Sequence, residues 1–139
     1  MPIKIKRLHP DAVLPDYSHP GDAGLNLYAV EDGAIAPGGM ARFNNGFALE
    51  MPFGYVAIVK DRSSMAKNGL HCLGGVFDAG YRGEYNVQLI NLGAEPYEVK
   101  KGNKIAQLVI LPVAETVLTE VAELSESSRG MGAFGSTGK

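Results

Sequence analysis

Residues 85–113, which read YNVQLINLGAEPYEVKKGNKIAQLVILPV, contain three short apolar or alternating runs separated by turn residues. The separators are GAEP and KKGN. Short runs of this kind, bounded by Gly, Pro, Asn and Asp, are typical of β-strands, because glycine and proline supply the backbone angles of turns. This stretch therefore predicts consecutive strands rather than helices.

The same pattern extends over the rest of the chain. Strand-like runs occur in IKIKRL, GLNLYAV, ARFNNGFALEM, YVAIVKD and TVLTEVAEL, and 18 glycines and 8 prolines punctuate the sequence. Many short strands at such spacing predict an all-β fold, either a barrel or a sandwich. The exception is SSMAKNGL (Ser63–Leu70), which is predicted as a short helix with serines available to cap it. The run TVLTEVAEL is predicted as a strand that ends in a polar linker.

Length and composition limit the class of protein. A chain of 139 residues predicts one domain, here a barrel of residues 1–128 followed by a glycine-rich arm of residues 129–139. The net charge of −2 argues against a surface that binds nucleic acid. The single cysteine, Cys72, cannot form an intrachain disulfide, which suits a reducing cytoplasm. The start MPIKIKRL has no apolar signal core and no run reaches membrane length, so we expect no membrane association.

The sequence offers no ready-made metal or nucleophile motif. The histidines, His9, His19 and His71, share no metal-ligand spacing with one another or with Cys72, so we do not expect a zinc ion held by side chains. No G-x-S-x-G nucleophile elbow is present, although the sequence alone leaves a Ser-His-Asp triad open.

Arg62, Ser63 and Ser64 lie at a predicted strand-to-helix junction in DRSSMAKNGL. One interpretation is a capped helix preceded by a solvated arginine. The other is an anion site, because a helix start offers free N–H groups and arginine adds a two-pronged charged donor.

Two further segments carry polar groups among apolar residues. Asp78 and Tyr81 lie in a glycine-punctuated loop, which is either a simple turn or a place where an acid holds a water and a ring packs on a sugar. Gln107 lies within an otherwise apolar strand, where its amide is either paired in the core or turned to a ligand.

The terminal segment RGMGAFGSTGK (129–139) combines glycines with one ring and two cations. It is not a Walker A loop, because Ala133 stands where that motif needs its first glycine and no Ser or Thr follows Lys139. Taken alone, the segment is either a frayed end or a lid over a phosphate ligand.

Taken together, PGDAGLNLYA, DRSSMAKNGL, GGVFDAGYRGEYNVQLIN, KGNKIAQLVI and RGMGAFGSTG resemble, in sequence order, the five motifs of the trimeric dUTP pyrophosphatases. The resemblance runs from about Pro20 to the carboxyl end. It implies an antiparallel β-barrel or jelly-roll subunit, a homotrimer with sites shared between chains, and Mg²⁺-assisted hydrolysis of dUTP to dUMP and pyrophosphate. That reaction limits uracil incorporation into DNA and supplies dUMP for dTMP synthesis. It also favours the lid interpretation of the terminal segment.

The resemblance also implies roles for individual residues. Asp78 matches the acid that activates the attacking water at the α-phosphorus, and Tyr81 matches the ring that packs on deoxyribose. Mg²⁺ is expected to be held by phosphates and waters without a direct protein ligand, with Asn26 near a metal-bound water. The positions matched to substrate binding are Arg62, Ser63, Ser64, Gly75, Val76, Phe77, Tyr81, Asn86, Gln107, Arg129, Phe134, Gly135 and Ser136.

The chain departs from the family pattern in its first motif, where Asn26 replaces the usual Asp. Because charged acceptors bond more strongly, we expect the Asn26→Asp variant to be tolerated and to gain activity at limiting Mg²⁺. The other departures are Asp61, Ser64, Cys72 and Ala133.

Two other classes share parts of this pattern. The dCTP deaminases share the barrel and an RSS segment but lack the combination of a DAGY loop with an aromatic glycine-rich tail. A non-catalytic binding protein of the same fold would bind dUTP without releasing pyrophosphate.

Overall fold

The computed structural model describes residues 1–138, and short β-strands form most of its regular structure. In chain order the elements are β1 (Lys4–Arg7), β2 (Gly24–Tyr28), β3 (Gly33–Ile35), β4 (Met40–Asn44), β5 (Phe47–Glu50), β6 (Tyr55–Lys60), α1 (Ser63–Lys67), β7 (Leu70–Leu73), β8 (Val76–Phe77), β9 (Asn86–Asn91), β10 (Tyr97–Val99) and β11 (Lys104–Pro112).

The strands form two larger sheets and two strand pairs. The four-stranded sheet has the order β2-β11-β6-β8, and the three-stranded sheet has the order β4-β9-β7. The pairs are β1-β5 and β10-β3. Every one of these pairings is antiparallel. The prediction of an antiparallel all-β, jelly-roll-like fold is therefore confirmed.

The core lies between the sheets and is built from alternate strand residues, since successive side chains point to opposite faces. In β9, the alternate residues Val87 and Leu89 are fully buried, and they pack in one cluster with Leu27 of β2 and Leu108 of β11. Each such side chain contributes about 1.5–3 kcal/mol when it is fully buried. This core fixes the positions of the strand ends, where the polar residues lie.

The predicted strand TVLTEVAEL is wrong. Residues 113–138 form no strand or helix, and the apolar side chains of Val117, Leu118 and Leu124 are exposed. A β-strand needs a neighbour to accept its backbone hydrogen bonds, and no neighbouring strand of the described chain reaches this segment.

The predicted helix exists but is shorter than expected. It ends at Lys67 because Gly69 adopts a φ of +82° and Leu70 already belongs to β7. The serines do not cap it. Arg62 occupies the N-cap position without a side-chain hydrogen bond, and Ser63 and Ser64 begin the helix with exposed side chains.

The proposed boundary between a domain of residues 1–128 and an arm of residues 129–139 stays a prediction, and Lys139 lies outside the described residues. Within residues 1–138, no helix has the length and apolar character needed to span a bilayer.

Candidate functional site

A polar cleft of about 410 Å³ lies beside α1, and we call it the basic cleft. Arg62 and Lys104 supply its cationic groups. The Arg62 guanidinium donates to the Lys104 carbonyl at 3.1 Å, which ties α1 to the start of β11. Since α1 has only five residues, the attraction of this cleft for anions rests on these cations rather than on a helix dipole. The other residues that line it are Ser64, Met65, Asn68, Tyr97, Gly102, Asn103 and Ile105.

Gln107 is held at the same end of the four-stranded sheet. Its Nε2 donates to the Asp61 carbonyl at 2.8 Å, so the side chain is paired with the backbone just before Arg62. Gly24 lies directly beneath it, since a Cβ on Gly24 would stand 2.2 Å from the Gln107 Oε1. Glycine is needed here because the amide occupies the space of a side chain.

The Asp61 carboxylate links this corner to β7. It accepts from the Cys72 N–H and contacts the His71 Nδ1, both at 2.6 Å. Partial burial acts to raise the pKa of Asp61, but the hydrogen bonds from His71 and Cys72 outweigh it and leave the pKa below its usual range. Burial and the nearby Asp61 carboxylate raise the pKa of the Cys72 thiol to about 12, so this cysteine is not an activated nucleophile.

A hydrogen-bonded cluster surrounds the buried Asn26. The Asn26 Nδ2 donates to the Asp16 carbonyl at 3.1 Å, to the Asp16 Oδ1 at 3.2 Å and to the Ser18 Oγ at 2.8 Å. The Tyr28 hydroxyl donates to the same Asp16 Oδ1 at 2.7 Å. Hydrogen bonds from Tyr28 and Asn26 lower the pKa of Asp16, while burial and the Asp16 hydrogen bond raise the pKa of Tyr28 to about 12.

The loop from Asp78 to Glu84, which we call the Asp78 loop, is anchored by aromatic rings at both ends. Phe77 and Tyr85 stack with ring centroids 4.2 Å apart, and Tyr85 is fully buried. Tyr81 packs on both rings from inside the loop, and its hydroxyl donates to the Glu84 carbonyl at 2.9 Å. Asp78 is exposed, and its carbonyl accepts from the Tyr81 N–H. The loop thus presents a carboxylate and a tyrosine ring on a fixed frame.

The backbone before this loop is held against β6. Gly75 has a φ of +88°, its carbonyl accepts from the Val59 N–H at 2.8 Å, and a Cβ there would stand 2.9 Å from the Val59 Cβ. Val76 is exposed on the other side of the same segment. Asn86 begins β9, and its side-chain amide donates to the Glu84 carbonyl at 3.3 Å.

One chain does not bring the residues at the basic cleft and those of the Asp78 loop together. Gln107 pairs with Lys60 at one end of β6, whereas Phe77 pairs with Ala57 near the other. Asp78, the next residue, leaves the sheet near the level of Val56. Four residues of strand therefore separate it from the level of Gln107, or roughly 13 Å.

The terminal segment lies apart from both sets. The Arg129 Nε donates to the Gly132 carbonyl within the segment itself, and Phe134, Gly135 and Ser136 are exposed. Phe134 has a φ of 43°, a backbone conformation uncommon for a residue with a side chain.

Sequence reasoning missed Asp16, Tyr28 and Lys104. No spacing rule points to Asp16, because it lies in an irregular loop and reaches Asn26 only through an isolated β-bridge. Lys104 could have been suspected as the charged start of an apolar strand, but its closeness to Arg62 depends on the order of strands in the sheet.

Comparison with known proteins identifies the chain's relatives. A family model described as dUTPase matches residues 11–138. The chain is 49% identical to the deoxyuridine 5'-triphosphate nucleotidohydrolase of Clostridium tetani, over 99% of this chain and 97% of that protein. It is 48% identical to the protein of the same name from Thermobifida fusca, over 98% of this chain and 78% of that protein.

Solved structures show the same fold. The structure of Staphylococcus bacteriophage 80alpha dUTPase with dUPNHPP superimposes with a TM-score of 0.94. It is 28% identical in sequence, and the match covers 99% of each chain.

Proposed function

This chain belongs to the dUTPase family, and from that premise we infer that it hydrolyses dUTP to dUMP and pyrophosphate. The observation that carries this conclusion is the family match over residues 11–138, which includes all five motifs quoted above. Hydrolysis keeps dUTP out of DNA and yields dUMP for dTMP synthesis. The arrangement of the site supports separate roles for the basic cleft and the Asp78 loop.

The basic cleft suits the triphosphate. Arg62 can form paired charged hydrogen bonds to phosphate oxygens, and such bonds are roughly twice as strong as neutral ones. Ser63 and Ser64 have exposed hydroxyls beside it, since neither is used as a helix cap. Gln107 stands at the same corner with its Nε2 fixed to Asp61. We assign phosphate binding to these four residues.

The Asp78 loop suits the nucleoside and the attacking water. The exposed Asp78 carboxylate would accept a proton from a water molecule whose oxygen attacks the α-phosphorus, while the bond to the bridging oxygen breaks and pyrophosphate leaves. Tyr81 would pack its ring on deoxyribose and would leave no room for a 2′-hydroxyl. The backbone of residues 75–78 and the Asn86 amide would recognise the uracil edge.

The distance between the two parts supports sites shared between subunits. Because roughly 13 Å of strand separates the level of Asp78 from that of Gln107, one chain would not present both parts to the same α-phosphorus. In a homotrimer, the Asp78 loop of one subunit would face the basic cleft of another. The exposed apolar residues Val117, Leu118 and Leu124 also favour a partner subunit, which would cover them.

The terminal segment would complete the site from a third direction. Phe134 is fully exposed and can stack on the uracil, with Gly135 and Ser136 close to phosphate oxygens. Arg129 would give up its bond to the Gly132 carbonyl for a bond to the γ-phosphate. Closing such a segment excludes water from the reaction.

Magnesium would be held by the substrate rather than by a cage of side chains. Among residues 1–138, no three His, Cys, Asp or Glu side chains form a group that could hold a metal ion. Mg²⁺ keeps several waters and commonly binds through substrate phosphates, so it would be held chiefly by the triphosphate. When bound, Mg²⁺ offsets phosphate charge and orients the phosphate oxygens. We place this activity in the cytoplasm, where Cys72 would stay reduced.

Pyrophosphate release from dUTP, dTTP, dCTP and UTP, measured side by side with Mg²⁺, tests the proposal. We expect release from dUTP at least about tenfold faster than from the other three, since a site built to bond one base edge rejects others strongly. Ammonia release from dCTP would indicate a deaminase instead. Binding of dUTP without pyrophosphate release would indicate a non-catalytic binding protein.

A further inference from the structure

Asp16 is an exposed carboxylate that two neighbours hold in one position. Its Oδ1 accepts from the Tyr28 hydroxyl at 2.7 Å and from the Asn26 Nδ2 at 3.2 Å. Its own backbone carbonyl accepts from the Asn26 N–H at 2.8 Å, so backbone and side chain are fixed together. Among residues 1–138, the Oδ2 takes part in none of the hydrogen bonds. This oxygen is therefore available to a ligand, and the hydrogen bonds at Oδ1 hold the carboxylate in place.

The sheet register places this carboxylate at the end of the sheet that carries the basic cleft. Asn26 pairs with Gln107, and Tyr28 pairs with Lys104, the residue whose carbonyl holds Arg62. The Lys104 Nζ lies 6.0 Å from the centre of the Tyr28 ring. Asp16 thus lies against Asn26, whose partner in the sheet is Gln107, one of the residues that we assign to phosphate binding.

A fixed negative charge at this place is unfavourable for a bare triphosphate. Both groups are anionic at neutral pH, and the hydrogen bonds from Tyr28 and Asn26 keep the Asp16 carboxylate ionised. Repulsion between them is removed if a divalent cation lies between. A hydrated Mg²⁺ on the triphosphate would supply that cation, and its waters would donate to a carboxylate oxygen.

We propose that Asp16 is the positioning residue through which this chain holds the hydrated magnesium ion of Mg–dUTP, in place of a carboxylate on β2. The proposal rests on the function proposed above. In this chain the carboxylate of the cluster stands at position 16 rather than at position 26. The Asn26 amide donates a hydrogen bond that orients it.

This assignment reverses the expectation for the Asn26→Asp variant. The Asn26 Nδ2 lies 3.2 Å from the Asp16 Oδ1, so a carboxylate at position 26 would place an oxygen about as close. Two carboxylates at this distance cannot both ionise freely. The single variant should therefore weaken the site. The double variant Asp16→Asn/Asn26→Asp restores one carboxylate and one amide, with the roles of the two positions exchanged.

The test measures binding of a non-hydrolysable α,β-imido analogue of dUTP by calorimetry, first in EDTA and then across a Mg²⁺ titration. For Asp16→Asn we expect the half-saturating Mg²⁺ concentration to rise about fivefold to tenfold, because a neutral acceptor replaces a charged one. In EDTA the same variant should bind the analogue equally well or more tightly, since a repulsive charge has gone. The matched control is Glu50→Gln, which removes one exposed charge on β5 and should change neither value.

A weaker response to Mg²⁺ combined with unchanged or tighter binding in EDTA distinguishes a positioning role for Asp16 from simple structural damage. A loosened loop would weaken binding in both conditions, which would overturn the proposal, as would an unchanged Mg²⁺ dependence in Asp16→Asn. The double variant should return the Mg²⁺ dependence to within about threefold of the parent protein, and failure of that rescue with a folded trimer would also count against the exchange. If the parent protein hydrolyses dUTP while Asp16→Asn keeps the parent's Mg²⁺ dependence, only this inference fails. If the parent protein does not hydrolyse dUTP at all, both fail.

Discussion

Replacement of Gly24 by alanine should damage the phosphate-binding corner through a single clash. The new Cβ would stand 2.2 Å from the Gln107 Oε1 and 2.9 Å from the Gln107 Cβ and Cδ. Because the Gln107 Cβ is also too close, rotation of the amide alone would not relieve the contact. Gln107 would have to shift, and its bond to the Asp61 carbonyl would lengthen or break.

The magnitude follows from three contributions to the free energy of unfolding. Overpacking costs about 1–3 kcal/mol. Loss of the hydrogen bond between Gln107 and Asp61 costs about 0.5–1.5 kcal/mol more. Alanine recovers about 0.5–1 kcal/mol relative to glycine, because it restricts the unfolded chain. We therefore expect a net loss of about 2 kcal/mol.

The assay is urea denaturation at one fixed protein concentration, since association of subunits would shift the apparent stability. The decisive comparison is a double-mutant cycle with Gln107→Ala. If the clash is the cause, Gly24→Ala should cost less than about 0.5 kcal/mol once the glutamine side chain is absent. Gly80→Ala is the matched control for stability, since a Cβ there meets no atom within 4 Å.

Equal costs of Gly24→Ala in the presence and absence of the Gln107 side chain would refute this reasoning. The effect would then belong to the backbone of β2 rather than to the contact. In the Gly24→Ala protein we also expect about tenfold weaker binding of the dUTP analogue, because the displaced Gln107 amide would lose its hydrogen bond to phosphate.

The remaining predictions concern the thiol, two tyrosines, the acid and the terminal segment. With a pKa of about 12, Cys72 should react with a disulfide reagent at pH 8 far more slowly in the native protein than in urea, and equal rates would contradict its burial. Tyr28 and Tyr85 should ionise near pH 12 in an ultraviolet titration. Since their pKa values lie above the unfolded value of about 10, the stability that they contribute is complete below pH 10 and is lost as the pH rises towards 12. Asp78→Asn should lower turnover by about 10²–10⁴ and leave analogue binding largely intact, whereas turnover within threefold of the parent would make Asp78 a turn residue only. Deletion of residues 129–139 should lower turnover severely without a fall in melting temperature, because the described part of this segment, residues 129–138, is exposed throughout; a sharp fall without ligand would make it structural.

Most strands could be predicted from sequence because their signal is local. The runs around β2, β6, β9 and β11 alternate or stay apolar between turn residues, and burial on the sheet faces then selects the strand conformation. The strand predicted in TVLTEVAEL has the same local signal. It fails because strand formation also needs a partner edge, and a pattern within nine residues carries no information about that edge.

The surroundings of Asn26 show a second limit of prediction from sequence. The motif comparison identified a missing charge at Asn26, and from that alone a restored carboxylate looked harmless. The fold shows that Asp16 approaches the Asn26 amide through an isolated bridge formed by a loop. A contact between residues ten positions apart, made by an irregular loop, has no spacing signature, so only the folded chain could reveal it.

The orientation of the candidate site depends mainly on backbone carbonyls, which no residue letter records. Arg62 is fixed by the carbonyl of Lys104, Gln107 by that of Asp61, and Tyr81 by that of Glu84. The sequence can predict that an arginine, an amide and a ring are present at these positions, because side-chain chemistry is written in it. It cannot predict where they point, since every residue has a carbonyl and its direction follows from strand register. Substitutions at Lys104 or Glu84 that leave the backbone in place should therefore disturb the orientation of Arg62 and Tyr81 less than changes that shift the backbone carbonyl at these positions.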